Sequence, residues 1–573
     1  MPARAAAPAA PAPAAPVPVA PLRALVTIVV DQLAAWIASE RWPELPADGG
    51  FARLRREGLY VRELRYDHAS TDTAPGHSAL YTGEVPRESG IVTNDLIVTD
   101  AGASVSILAD EQNDLLVAGG TTKPKRGASL ARLQGDTLAD MVRAREPDAA
   151  IYSLSLKDRG ALFGAGRTPT LALWFDPGEE AFVSSTAFVK ALPQWVVPVG
   201  GRDAVRAACA TAWDKPLDRR WVEAHALTPD AQPGEGDLGK TANEPGLGIA
   251  FPHAVPNAKT MRATPAGDRL LLQVALAAIA HAAPAPHPTL LAISFSSNDY
   301  VGHTFGPDSW EAWDELRQLD QRLRELLSAL DGAFGKDNYA VMLTGDHGIG
   351  AIPELRARAR EAACKRTAVP GLDRSDGASE CKLGPRLAPG ALIAALEAAW
   401  QRELGPDHRG PLIAGLADAL VFLNKEGHAL GPAERARMAR AGTAALHDRF
   451  NIDEVVDVRA AAAPCPPASD ESRDALVCRS VRRNGPGDFD LVVAPRAFLE
   501  VYVPGAGANH GSPYLYDRAV PLLVRAPGRV AAGAVREEPV HFTTFVRTAA
   551  SLLGVPAPST AGAGENLAPS PSH

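Results

Sequence analysis

The chain has 573 residues, 46% hydrophobic and 22% charged, a globular composition with material for a sizeable core. Lys+Arg 58 against Asp+Glu 67 leaves a net charge of −9, which excludes the broad basic footprint that nucleic acid requires. The most apolar helical run, Leu270 to Ala280, is broken by Gln273 and is about half of the ~20 residues a membrane span needs.

Residues 1–21 are Ala, Pro and Val with Arg4 as the single charge, and read as a disordered linker following an export signal. Arg23 to Val30 is an apolar, β-branched run ending in Asp31, the pattern of a strand buried on both faces of a parallel sheet. Thr137 to Arg145 predicts a helix, Ala149 to Leu154 a strand, and Leu171 to Val183 a hairpin turning at Asp176-Pro177-Gly178. Leu290 to Ser296 predicts a strand leading into Asn298-Asp299, and Tyr339 to Thr344 another leading into Gly345-Asp346-His347. Between them, Leu316, Leu319, Leu323, Leu326, Leu327 and Leu330 recur at helical spacing over Ser309 to Leu330. Strand, helix, strand in that order predicts a crossover and a parallel sheet. The expected fold is α/β: a mostly parallel central sheet flanked by helices, with large insertions. Residues 22–565 are expected to form one domain, interrupted by an insertion near 355–485 with helices over Leu387–Glu403 and Pro432–Phe450. A disordered tail is expected over 566–573.

The five cysteines include no C-x-x-C pair, so a zinc site of that kind is excluded. Cys364/Cys381 and Cys465/Cys478 are two local pairs expected to be disulfides, which would place the protein in an oxidising compartment, periplasmic or secreted. Cys209 is expected as a buried free thiol on a helix over Asp203–Trp213.

In open α/β sheets the ligand site lies beyond the carboxyl ends of the strands. One strand ending in Asp is commonplace and usually a helix cap. Here three end in acids, and two are accompanied by histidine: Asp31, Asp299-x-x-x-His303 and Asp346-His347. His510, in a Gly-rich loop, can return to the same edge. Three carboxylates and three imidazoles suit borderline divalent ions such as zinc. Six ligands exceed what one open tetrahedral ion takes, and match two ions acting on the attacking and leaving oxygens of a displacement. Thr73, followed by Pro75, is expected at a helix N-terminus, where an anion is favoured and a bound metal would activate the hydroxyl as a nucleophile. Alone, Thr73 would read as an ordinary helix cap. Asn94 and the pair Lys157/Arg159 offer groups for phosphoryl oxygens; the two cations share a face if their segment stays extended. A surface pair is the plainer reading of K-x-R. His77 is expected to be structural or to support a ligand, and His253 to be a packing or loop residue with a site-facing role also open.

Together these segments resemble the alkaline phosphatase superfamily, most closely the phosphate-irrepressible alkaline phosphatases, near the nucleotide pyrophosphatase/phosphodiesterase branch. The resembling segments are Val26–Gln32, Thr73-Ala-Pro-Gly-His77, Gly90–Asp95, Ser155–Gly160, Phe251–His253, Phe295–His303, Thr344–Gly348 and His510-Gly511. The resemblance implies two Zn2+: one held by Asp299, His303 and His510, the other by Asp31, Asp346 and His347 with Thr73. It implies a phosphothreonine at Thr73, with Asn94, Lys157 and Arg159 on the phosphoryl oxygens. Lys157 and Arg159 are the residues that set monoesterases of this type apart from the diesterase branch. A threonine at 73 disfavours a sulfatase, which needs Cys or Ser there. Leu33-Ala34-Ala35 departs from the more polar residues of relatives without touching a proposed ligand.

The expected function is a zinc-dependent phosphomonoesterase acting on small phosphate monoesters. A phosphodiesterase or nucleotide pyrophosphatase on the same scaffold, and a non-catalytic metal- or phosphate-binding protein, are the alternatives. A monomer is favoured.

Overall fold

The structure is a computed structural model and describes residues 21–226, 228–352, 386–406, 410–500, 502–558, 562 and 564–568. It is organised on an eleven-stranded sheet. At the centre five strands run parallel in the order Tyr339–Thr344, Ala24–Val30, Thr289–Phe295, Ala150–Ser155, Leu171–Asp176. Ala519–Arg525 and then Leu59–Arg65 extend one side antiparallel. Ala181–Ser185 and Leu115–Val117 extend the other. The first four central strands are buried along their whole lengths, which is why they read as unbroken apolar runs rather than alternating ones.

Register sets the site. Val30 pairs with Phe295, Val29 with Thr344, and Ser294 with Ser155. The residues that follow, Asp31, Ser296–Asp299, Gly345-Asp346 and Leu156-Lys157, therefore emerge at one edge of the sheet.

Flanking helices cover the sheet. In Trp310–Phe334 the six predicted leucines are each at most 1% exposed, and burying each contributes about 1.5–3 kcal/mol. Ser309 starts this helix by accepting the Ala312 N–H at 3.1 Å, and Gly335, in a left-handed conformation, ends it. Apart from the helix expected over Asp203–Trp213, the expected strands and helices are present within a few residues of their predicted bounds, including the hairpin Leu171–Asp176/Ala181–Ser185.

A second, four-stranded sheet has the order Ile413–Ala417, Leu420–Leu423, Phe489–Val493, Ile452–Asp457. Helices Pro389–Leu404 and Pro432–Phe450 accompany it, around an apolar cluster of its own that includes Leu396, Trp400, Met438 and Phe489. Its strand Phe489–Val493 lies beyond residue 485. Cys465 and Cys478 are disulfide-bonded; Cys364 and Cys381 lie outside the described residues. The Cys209 helix spans Arg202–Cys209 and ends at the cysteine, so the thiol is half-buried rather than buried. Trp213, expected on that helix, instead bridges to His253 in extended structure. No helix of the described residues is long and apolar enough to cross a membrane.

Candidate active site

The strand ends gather the predicted carboxylates and imidazoles. Asp299 and His303 stand one turn apart on the helix Ser297–Phe305, with His303 Nε2 3.1 Å from Asp299 Oδ1. His510 Nε2 lies 3.6 Å from the same oxygen and 3.2 Å from His303 Nε2. His347 Nε2 lies 3.5 Å from Asp31 Oδ1 and 3.6 Å from Asp346 Oδ2. The His347 and His510 rings stack at 3.7 Å. Two sets of ligand atoms converge tightly enough for a metal, Asp31/Asp346/His347 and Asp299/His347/His510. His347 thus belongs to both sets, where the sequence assigned it to one.

All three imidazoles are held alike. Nδ1 of His303 faces the Ala508 carbonyl at 2.9 Å, that of His510 the Thr71 carbonyl at 2.7 Å, and that of His347 the Gly348 carbonyl at 3.1 Å. A carbonyl only accepts, so each Nδ1 carries a proton and each Nε2 is the nitrogen left facing the carboxylates. This is the outer-shell arrangement that fixes metal-ligating histidines. The His303 and His510 Nε2 atoms, 3.2 Å apart, need a proton or a metal ion between them. His347 Nε2 and Asp346 Oδ2 are buried without a hydrogen-bond partner. The donor set and these orphaned atoms fit divalent metal ions.

The charges are strongly perturbed. Burial, then Asp299 and Asp346, raises the Asp31 carboxyl well above its ordinary range. Burial would raise Asp299 too, but His303 and Lys157 outweigh it and hold that carboxyl well down. Burial pushes His347 down to about 3. His510 is raised, because Asp299 and Asp72 outweigh its burial.

Thr73 is the first residue of the helix Thr73–Thr82, after Asp72 as N-cap. Its hydroxyl is nearly buried and accepts from Lys157 Nζ at 3.2 Å. Pro75 fits because the first turn has no intrahelical use for its N–H. Gly76 lets the helix meet the Asp346 backbone, which a Cβ would strike. The Ala74 N–H is taken by Asn94 Oδ1 at 2.9 Å, so Asn94 stands at the head of the helix Thr73–Thr82.

Lys157 and Arg159 do not lie on an extended segment. Lys157 is the N-cap and Arg159 sits in the first turn of the helix Asp158–Ala165. The shared face expected of an extended segment therefore does not apply: the Lys157 ammonium lies 5.0 Å from the centre of the Tyr300 ring, while Arg159, two residues on in a helix, pairs with Asp158. Lys157 Nζ lies 2.7 Å from Asp31 Oδ2 and 2.6 Å from Asp299 Oδ2. The Arg159 guanidinium lies 3.4 Å from Asp158.

The type I phosphodiesterase / nucleotide pyrophosphatase family model matches residues 25–366, a span that contains Asp31, Thr73, Asp299, His303, Asp346 and His347. The chain belongs to this family. It is 34% identical over 331 residues to alkaline phosphatase PafA of Elizabethkingia meningoseptica, covering 56% of this chain and 59% of that one. It is 33% identical over 340 residues to alkaline phosphatase PhoV of Synechococcus elongatus, covering 57% and 59%. The chain thus spans 59% of the length of both curated relatives. The crystal structure of wild-type PafA superposes with a TM-score of 0.78 at 25% identity, covering 96% of this chain and 99% of that one. The fold is therefore that of an alkaline-phosphatase-like α/β protein.

Within this family member several site residues escaped the sequence. Gln32, at φ 67°, donates from its backbone N–H to Asp346 Oδ1 at 3.0 Å and from Nε2 to Asp299 Oδ1 at 2.9 Å. Its position directly after a strand-end Asp is the one signal it offered. Asn298 Nδ2 donates to the Asp31 carbonyl at 2.8 Å. Asp418, from the second sheet, accepts from Thr93 Oγ1 and Asn94 N, both at 2.7 Å, and from Asn94 Nδ2 at 3.3 Å. A cleft lined by Asp72, Asp95, Leu416, Asp418 and His510 opens beside the site. His77 supports the cluster, with Nδ1 3.1 Å from Asp346 Oδ2 and Nε2 3.0 Å from Ser294 Oγ. His253 packs away from it, against Glu311 and Phe305.

Proposed function

We propose that the chain is an alkaline phosphatase that hydrolyses phosphate monoesters through a covalent phosphothreonine at Thr73, with two zinc ions. The observation that carries this reading is Lys157, whose ammonium spans Thr73 Oγ1 and the Asp31/Asp299 pair. Asp299, His303 and His510 would hold one ion; Asp31, Asp346 and His347, with Thr73, the other. Zinc supplies Lewis acidity toward the attacking and leaving oxygens.

The residues of the chain do the rest. The Thr73 oxygen forms the bond to phosphorus as the ester oxygen departs. The proton lost from Thr73 balances the one the leaving alcohol gains. Water then cleaves the phosphothreonine and restores the hydroxyl. Lys157 and Arg159 bind the two negative charges of a monoester, and arginine can do so through two parallel bonds. Asn94 Oδ1 is committed to the Ala74 N–H and one Nδ2 hydrogen to Asp418, which leaves the second Nδ2 hydrogen for a phosphoryl oxygen. A diester has one charge and a second organic group, so two cations serve it less well.

The description of the matching family favours a second reading, a phosphodiesterase or nucleotide pyrophosphatase on the same scaffold. Initial rates on an aryl phosphate monoester and on its methyl diester decide between them, with zinc measured on the same sample. Faster monoester turnover with about two zinc ions per chain is expected. Diester turnover as fast or faster overturns the proposal. The disulfide supports a periplasmic or secreted location. Ligands spread from Asp31 to His510 support a single domain over 22–565.

A further inference from the structure

Gln32 holds a conformation that its residue type rarely adopts. Among the described residues, seven other than glycine have a positive φ. Six of them are exposed or half-buried, whereas Gln32, at φ 67°, is 1% exposed. A left-handed backbone brings Cβ too close to the following carbonyl, and it persists in an interior only where the surroundings demand it.

The contacts that demand it reach three strand ends. Gln32 follows Asp31, its N–H donates to Asp346 Oδ1 at 3.0 Å, and its Nε2 donates to Asp299 Oδ1 at 2.9 Å. The two hydrogen bonds depend on different parts of the residue. Asp346 Oδ1 accepts the Gln32 N–H and also the His347 N–H at 3.0 Å, so backbone groups hold that oxygen whatever side chain stands at 32. Asp299 Oδ1 is the oxygen that His303 Nε2 faces at 3.1 Å and His510 Nε2 at 3.6 Å, and its amide donor is the Gln32 side chain. The other oxygen, Oδ2, is taken by Lys157 Nζ at 2.6 Å.

The amide is also fixed from behind. Gln32 Oε1 packs on Gly302, where a Cβ would strike it. Gly302 precedes His303 on the helix Ser297–Phe305. A glycine weakens a helix interior, and here it makes room for the amide.

We propose that Gln32 is a positioning residue for the metal site of Asp299, His303 and His510, and that its side chain does not act on the site of Asp31, Asp346 and His347. This deepens the two-metal reading above, on which it rests. Hydrogen bonds to ligating carboxylates set their orientation, and losing one costs roughly 10–100-fold in metal affinity. By holding Asp299 Oδ1, Gln32 also presents Oδ2 to the ammonium that reaches Thr73. Glycine would meet the turn without strain, but would leave Asp299 Oδ1 without its donor.

Zinc titration against a chelator of known affinity, with thermal unfolding of the zinc-free protein, tests this. Gln32→Gly keeps the left-handed backbone and the N–H to Asp346, and removes only the amide. One of two zinc ions should bind about 10–100-fold more weakly, with the other unchanged. The zinc-free Tm should match the wild type to within about 3 °C. Gln32→Asn, which tolerates positive φ but is one methylene short, should repeat the loss. In a His303→Ala background, where that ion is lost, Gln32→Gly should cost the remaining ion nothing. Two ions bound as tightly in both variants as in the wild type overturn this inference alone. So does an equal weakening of both ions, or a cost to the remaining ion in the His303→Ala background. A zinc-free Tm that falls along with the affinity assigns Gln32 to the fold, which overturns it too. A wild type that binds no zinc overturns it together with the reading it rests on.

Discussion

The Lys157 ammonium donates to the Asp299 carboxylate across 2.6 Å, and both groups are buried. Burial would lower the lysine, but Asp299 and Asp31 outweigh it and keep the ammonium charged. Lys157→Ala is expected to reduce monoester kcat/KM by about 10²–10³-fold, the scale of losing one preorganised charge donor. Turnover of the methyl diester should fall less than about tenfold. Parallel initial rates on the two esters check this, and an equal fall in both would contradict the monoesterase assignment.

Asp418 reaches from the second sheet to hold Asn94 by two hydrogen bonds and the neighbouring Thr93 by a third. Asp418→Ala is expected to free the Asn94 amide and lower monoester kcat/KM about tenfold, on the scale of one or two hydrogen bonds. Zinc content should be unchanged. Steady-state kinetics with metal analysis measure both.

How much of this was legible follows from what each residue contacts. The buried strands announced themselves through unbroken apolar runs, and Asp31, Asp299 and Asp346 followed because strand ends share an edge. The spacing of Lys157 and Arg159 suggested one face of an extended segment, and the segment is instead a helix start. Strand periodicity cannot reveal that a helix starts at Asp158. Asp418 and Gln32 were silent because their partners lie 324 and 314 residues away. No local pattern encodes such pairings.

Asp320 offers a test far from the strand-end site. Burial pushes its carboxyl up to about 6, although it accepts the Phe51 N–H at 2.8 Å. A raised carboxyl stabilises the fold fully below its unfolded value of 3.8 and loses that contribution as pH rises through about 6. Asp320→Asn keeps an acceptor without the charge. Wild-type Tm is therefore expected to fall relative to the variant between about pH 4 and pH 7. A constant difference across that range would refute the assignment.

The Cys465–Cys478 bond closes a loop with a sequence separation of 13. Chain entropy assigns a loop of this size about 3 kcal/mol. Cys465→Ala with Cys478→Ala is expected to lower unfolding free energy by about that amount, read from urea transitions. The Arg87 guanidinium, which contacts both sulfurs and the Cys478 carbonyl, would lose part of its anchoring. A transition unchanged by the double substitution would mean the loop is held without the bond.

The parallel register has a mechanical meaning. Val29 opposes Thr344, and Val30 opposes Phe295. A slip of one residue along either pairing would carry a carboxylate about 3.3 Å and turn alternate side chains to the opposite face. The methyl groups of Val26, Ile28, Ile293 and Val341, all fully buried, therefore work as a vernier for charges they never touch. Erosion of that packing would surface first as misplaced strand-end carboxylates, before the protein loses its fold.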